Sequence, residues 1–188
     1  MDIRWSPGIG DPSWMGWFTV VAYLAAGALC ADAAARTSNR ARMADQERRW
    51  WLALSTILLI LGINKQLDLQ SLLTEVGRAA AKTEGWYDQR RQVQFAFVGI
   101  IAIAGTGVMS SLFWSMRRGA PSLKLALLGL TATSTFVVVR AASFHHVDLW
   151  LGQSILGARW NWIIELSGIA TIAAGAVWAK MQPGRPNK

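Results

Sequence analysis

One cysteine and two histidines are all the thiol and imidazole chemistry this chain has. Cys30 stands alone, so neither an intrachain disulfide nor a multi-cysteine metal site can form. It lies in an apolar run, where a small packing residue is its simplest role. His145 and His146 are adjacent in sequence, which excludes a haem held by histidines from two different helices of one chain. There is no HExxH zinc motif, no serine elbow and no phosphate-binding glycine loop. Ser143 precedes His146 by three residues, but no orienting acid is placed beside them. No internal repeat is visible, which disfavours an inverted-repeat transporter. No motif implies a cofactor.

Charge is missing from long stretches. Residues 14–31, 50–63, 93–116 and 125–139 contain no charged side chain, and 162–179 contains only Glu165. A helix rising about 1.5 Å per residue needs roughly 20 residues to cross the hydrocarbon core. With their polar ends included, the stretches predict five membrane-spanning helices, at 14–35, 49–67, 93–116, 122–144 and 160–180. A soluble domain of 188 residues has too little interior to bury all five. The predicted class is therefore an all-α membrane protein, with residues 1–180 forming one transmembrane bundle. Residues 181–188 read as a polar, disordered cytoplasmic tail.

The net charge of +8 has a topological explanation. Arg36, Arg40, Arg42, Arg48, Arg49, Arg117, Arg118, Lys124, Lys180, Arg185 and Lys188 fall on one side of the predicted bundle. They meet only Asp32, Asp45 and Glu47 there. The other side carries equal numbers of cations and acids, so the whole excess lies on one face, as the positive-inside rule requires. This predicts an inner (plasma) membrane protein with its N-terminus outside and its C-terminus cytoplasmic. Two acids before the first apolar run and five arginines after it favour an uncleaved anchor over a secretory signal. Tryptophans mark both interfaces: Trp14, Trp17, Trp160 and Trp162 on one side, Trp50, Trp51, Trp114 and Trp178 on the other. No nucleic-acid motif accompanies the basic charge.

Between the second and third stretches, Leu69, Leu72, Leu73, Val76 and Ala80 recur at helical spacing, with Asp68, Ser71, Glu75, Arg78 and Lys82 on another face. Residues 68–84 therefore predict an amphipathic outer helix lying in the interface or capping the bundle. Residues 147–159 also read as interfacial. Asp11, Pro12 and Ser13 read as a helix start, with an acid as cap and proline in the first turn.

The polar residues at membrane depth cluster at the outer end. Asn64, Lys65 and Asp68 close the second stretch. Arg140, His145, His146 and Asp148 close the fourth, and Asn161 and Glu165 open the fifth. Ionisable groups at this depth face a partner or a wet cavity. Arg140 and Glu165 each lie five residues inside the outer end of neighbouring helices, so an ion pair between them is expected. Asn64 with Asp68, and Asn161 with Glu165, each share a helical face. Lys65 either meets a negatively charged ligand or snorkels to the surface. His145, His146, Glu165 and Asp68 are the candidates for acid–base chemistry. His146 and Asp148 are weak metal candidates, since adjacent histidines on a helix point about 100° apart.

Two readings follow. One is an outward-facing polar site for a lipid or other amphiphilic head group, using Asn64, Lys65, Arg140, Asn161 and Glu165. The other is an accessory or assembly subunit of a larger membrane complex, whose polar cluster serves structure alone. Small-residue stripes at Gly107, Ser111 and Ser115, and at Ser167, Thr171, Gly175 and Ala179, suit helix packing within the bundle, with a homodimer or membrane-complex partner as the alternative. A proton-coupled carrier or channel is disfavoured because the polar groups do not continue across the bilayer.

Overall fold

The computed structural model describes residues 11–37, 43–67, 119–141, 154–155 and 158–182, together with isolated positions 83, 103, 107 and 114. Four long helices dominate: α1 (Trp14–Thr37), α2 (Met43–Leu67), α3 (Pro121–Ala141) and α4 (Trp160–Met181). Each is long and apolar enough to cross a membrane. The expected third span, 93–116, and the amphipathic helix, 68–84, lie outside the described residues but for those isolated positions. A minimal antiparallel pair, β1 (Ser154–Ile155) and β2 (Ala158–Arg159), precedes α4 where an interfacial segment was expected. In sequence, Leu156 and Gly157 lie between its strands.

The helix bounds follow from local chemistry. Ser13, rather than Asp11, caps α1: its hydroxyl accepts the Gly16 N–H at 3.1 Å. Asp11 stands behind the cap and accepts from the Ser13 hydroxyl at 2.6 Å and the Ser13 N–H at 3.2 Å. Pro12 therefore lies outside the helix instead of in its first turn. α2 begins six residues earlier than expected, at Met43 instead of 49. The sequence Met-Ala-Asp-Gln-Glu-Arg-Arg contains no helix breaker, and Asp45 lies in the first turn, where a negative charge is favoured. Pro121 is the first residue of α3, a position where its missing N–H is no loss.

α1 and α2 pack antiparallel, with Gly27 level with Ser55 and Leu58, and Gly62 against the Tyr23 side chain. α3 and α4 form a second antiparallel pair, in which Gly129, Gly168 and Gly175 allow close approach. α1 also packs on α4, whereas α2 and α3 meet only marginally. The order across the bundle is α2–α1–α4–α3. Two contacts at successive positions show that α1 and α4 run parallel: Tyr23 meets Glu165, and Asp32 meets Lys180 at 2.6 Å.

One end of the bundle thus gathers the C-termini of α1 and α4 and the N-termini of α2 and α3. Arg36, Arg48, Arg49, Lys124 and Lys180 all belong to it. Glu47 ties α2 to the entry of α3 there, accepting the Ala120 N–H at 3.0 Å.

Trp51 corrects the expected interfacial belt. It is only 1% exposed and belongs to the buried core. The α1–α2 register brings it level with Ala33 and Ala34, also buried, and these small side chains leave room for an indole. Trp14 and Trp17 at one end, and Trp178 at the other, are exposed as expected.

Candidate functional site

Three helices converge on Glu165 near the less basic end. Glu165 lies five residues into α4, so it sits about 7.5 Å below the helix start, and it is 2% exposed. The Lys65 ammonium donates to Glu165 Oε2 at 2.7 Å, and the Tyr23 hydroxyl donates to Oε1 at 3.1 Å. The Lys65 and Glu165 side chains are 9% and 3% exposed.

Helix geometry explains the meeting. Side chains lean toward the N-terminus of their own helix. Lys65 ends α2 and so leans inward, while Glu165 begins α4 and leans outward. The two heads approach from opposite levels. Tyr23 is admitted because Gly62 opposite has no side chain: a Cβ there would stand 3.2 Å from the Tyr23 Cβ. The short charge-assisted bond and the phenol leave both carboxylate oxygens engaged, as a buried ion needs.

Lys65, expected to face a ligand or the surface, instead reaches into the bundle. The expected partner Arg140 lies in the last turn of α3 and is described by its backbone alone. Tyr23 was not singled out from sequence. Its signal was a phenol in the middle of an apolar run, since a buried tyrosine hydroxyl normally has a partner. Asn64 is half-buried near the end of α2. Asp68, His145, His146 and Asp148 lie outside the described residues. Among the described residues no group of three His, Cys, Asp or Glu side chains could hold a metal ion.

Two amides adjoin the ion pair along their helices. Asn161 precedes Glu165 by one helical turn, and its Oδ1 is buried without a hydrogen-bond partner among the described residues. Gln66, next to Lys65, has both Oε1 and Nε2 in the same condition. Gln66 was not among the sequence candidates. Such atoms are rare in folded proteins because each retains the cost of leaving water.

The small-residue stripe of α4 is offset from the expected one. Gly175 does face α3, but its companion is Gly168; Ser167 is exposed, and its hydroxyl returns to the Ile164 carbonyl. No family model, curated protein or solved structure matches the chain.

Proposed function

We propose that this chain is an integral membrane protein of five crossings, whose outer end holds a site for the head group of a lipid or other amphiphile. The connectivity supports the fifth crossing. Leu67 and Gly119 lie at opposite ends of the bundle, and the intervening sequence includes the uncharged run 93–116. The gathering of cations at the other end supports a cytoplasmic C-terminus in an inner (plasma) membrane. Impermeant thiol labelling of intact cells tests the orientation. A cysteine placed at Arg42 is expected to stay unlabelled and one at Glu84 to react; the reverse pattern refutes it.

The observation carrying the site is the pair of unpartnered amides, Gln66 next to Lys65 in sequence and Asn161 one turn before Glu165. Glu165 is already engaged, so acid–base chemistry there would fall to Asp68, His145 and His146. The closed contact among Tyr23, Lys65 and Glu165 favours a second reading, the accessory subunit with a structural cluster. Native mass spectrometry of the protein released from mixed-lipid nanodiscs separates the two. The first reading expects one head-group class to be retained selectively, and retention in proportion to bulk composition leaves the second.

A further inference from the structure

A second charged cluster lies at the basic end of the bundle, away from Glu165. Asp32 accepts the Arg36 Nε–H through Oδ1 at 3.2 Å and the Lys180 ammonium through Oδ2 at 2.6 Å. One carboxylate thus holds two cations side by side, one from α1 and one from the parallel helix α4. Lys65 and Glu165 cancel each other, but here two cations meet a single acid and one positive charge is left over. Among the described residues no second acid pairs with Arg36 or Lys180. The cluster is also accessible: the Arg36 side chain is 64% exposed, Asp32 39% and Lys180 25%.

The donors that remain suit a phosphate. Asp32 engages Nε of Arg36, which leaves both Nη amino groups of the guanidinium, and the ammonium has N–H donors beyond the one it gives to Asp32. A guanidinium fork beside an ammonium matches the charge and the several acceptor oxygens of a phosphate. The depth points to a lipid as its carrier. α1 has 24 residues, about 36 Å of helix against roughly 30 Å of hydrocarbon. Arg36 and Lys180 are the next-to-last residues of α1 and α4, so they reach the level where head groups begin. Trp178, exposed in the last turn of α4, suits the same interface. One turn toward the membrane centre, Val177 precedes Lys180 and Ala28 precedes Asp32, and both are exposed. They offer apolar surface to an acyl chain, which a free phosphate would not use.

We infer that Arg36 and Lys180, held together by Asp32, bind the phosphate of an anionic lipid at the basic end of the bundle.

The test is thermal unfolding of the full chain in three settings. These are phosphatidylcholine nanodiscs, the same with phosphatidylglycerol added, and phosphatidylcholine nanodiscs with free glycerol 3-phosphate. Phosphatidylglycerol is expected to raise the midpoint by about 2–4 °C through ligand linkage, and free glycerol 3-phosphate to leave it nearly unchanged. The double variant Arg36→Gln with Lys180→Gln should lose most of that rise. Arg48→Gln with Arg49→Gln, which removes two exposed cations at the same end but outside the cluster, should keep it. Asp32→Asn should lower the midpoint in phosphatidylcholine and enlarge the rise, because the phosphate then meets both cations without a competing carboxylate. Equal midpoints with and without phosphatidylglycerol overturn the inference and leave Asp32 and the last carbonyls of α1 and α4 as the counter-charge. An equal rise with free glycerol 3-phosphate overturns the lipid source. Equal losses in the two glutamine double variants overturn the assignment to this cluster and leave a diffuse attraction of the whole basic end. If the Arg36 and Lys180 variant fails to fold, Asp32→Asn still decides: a rise no larger than the parent's overturns the cluster's role.

Discussion

Replacing Lys65 with methionine is expected to destabilise the bundle by about 3–5 kcal/mol, because among the described residues it leaves buried Glu165 with the Tyr23 hydroxyl alone. Glu165→Gln should cost less. The two partners are not equivalent in position. Lys65 is two residues from the end of α2, and its flexible stem can carry the ammonium out to water once the carboxylate is gone. Glu165 is more than a turn deep and has a short side chain, so it has no such escape. The double variant Lys65→Met with Glu165→Met should recover much of the loss, since apolar groups of similar volume often replace a buried pair at little cost. Equilibrium unfolding in bicelles of the parent, Lys65→Met, Glu165→Met and the double variant gives all the corners of the cycle. Additive single effects, or a Glu165→Gln loss larger than that of Lys65→Met, would show that the pair is not the one that matters. A parallel cycle pairing Arg140 with Glu165 is expected to give a smaller coupling, because both carboxylate oxygens already have donors.

Tyr23→Phe belongs to the same cluster but has a smaller expected effect, about 0.5–1.5 kcal/mol for one hydrogen bond. The measurement is the same unfolding midpoint. No loss at all would mean that Lys65 alone satisfies the carboxylate.

The long elements were legible because length and the absence of charge are one-dimensional properties. The ends of α1, α3 and α4 fall within a few residues of where the uncharged runs place them. The gathering of cations at one end was equally readable, because alternation of spans assigns each link to a side. The partner of Glu165 was not readable in the same way. Counting residues from helix ends gives depth, and Arg140 and Lys65 both qualify by depth. Lys65 is the one seen to meet it, and that contact depends on how the helices are arranged around one another, which a count along the chain does not carry. Trp51 shows the same limit. An indole suits an interface or a core, and only the buried Ala33 and Ala34 of the facing helix decide for the core. On α4, Ser167 and Gly168 are neighbours in sequence, so a stripe drawn from small residues alone can be displaced by one position and face away from α3.

Two of the glycines between α3 and α4, Gly129 and Gly168, should therefore respond differently to one added methyl group. A Cβ on Gly129 would stand 2.8 Å from the Gly168 carbonyl oxygen and 2.8 Å from the Ile172 N. These are backbone atoms of the facing helix, so relief requires the helices to separate. A Cβ on Gly168 would instead collide first with the Thr133 hydroxyl, a side-chain atom that a second substitution can remove. Both Gly129→Ala and Gly168→Ala are expected to destabilise by about 1–3 kcal/mol, as overpacking does, with Gly129→Ala the worse. Adding Thr133→Ala should rescue much of the Gly168→Ala loss and none of the Gly129→Ala loss. The outer stripe supplies the control: Ser167→Ala and Thr171→Ala should leave the unfolding midpoint nearly unchanged, since their hydroxyls return to their own helix. If those two substitutions lowered stability in a manner dependent on protein concentration, the outer stripe would be an interface between copies of the chain. Rescue of Gly129→Ala by Thr133→Ala would mean that α3 and α4 do not approach through their backbones at that point.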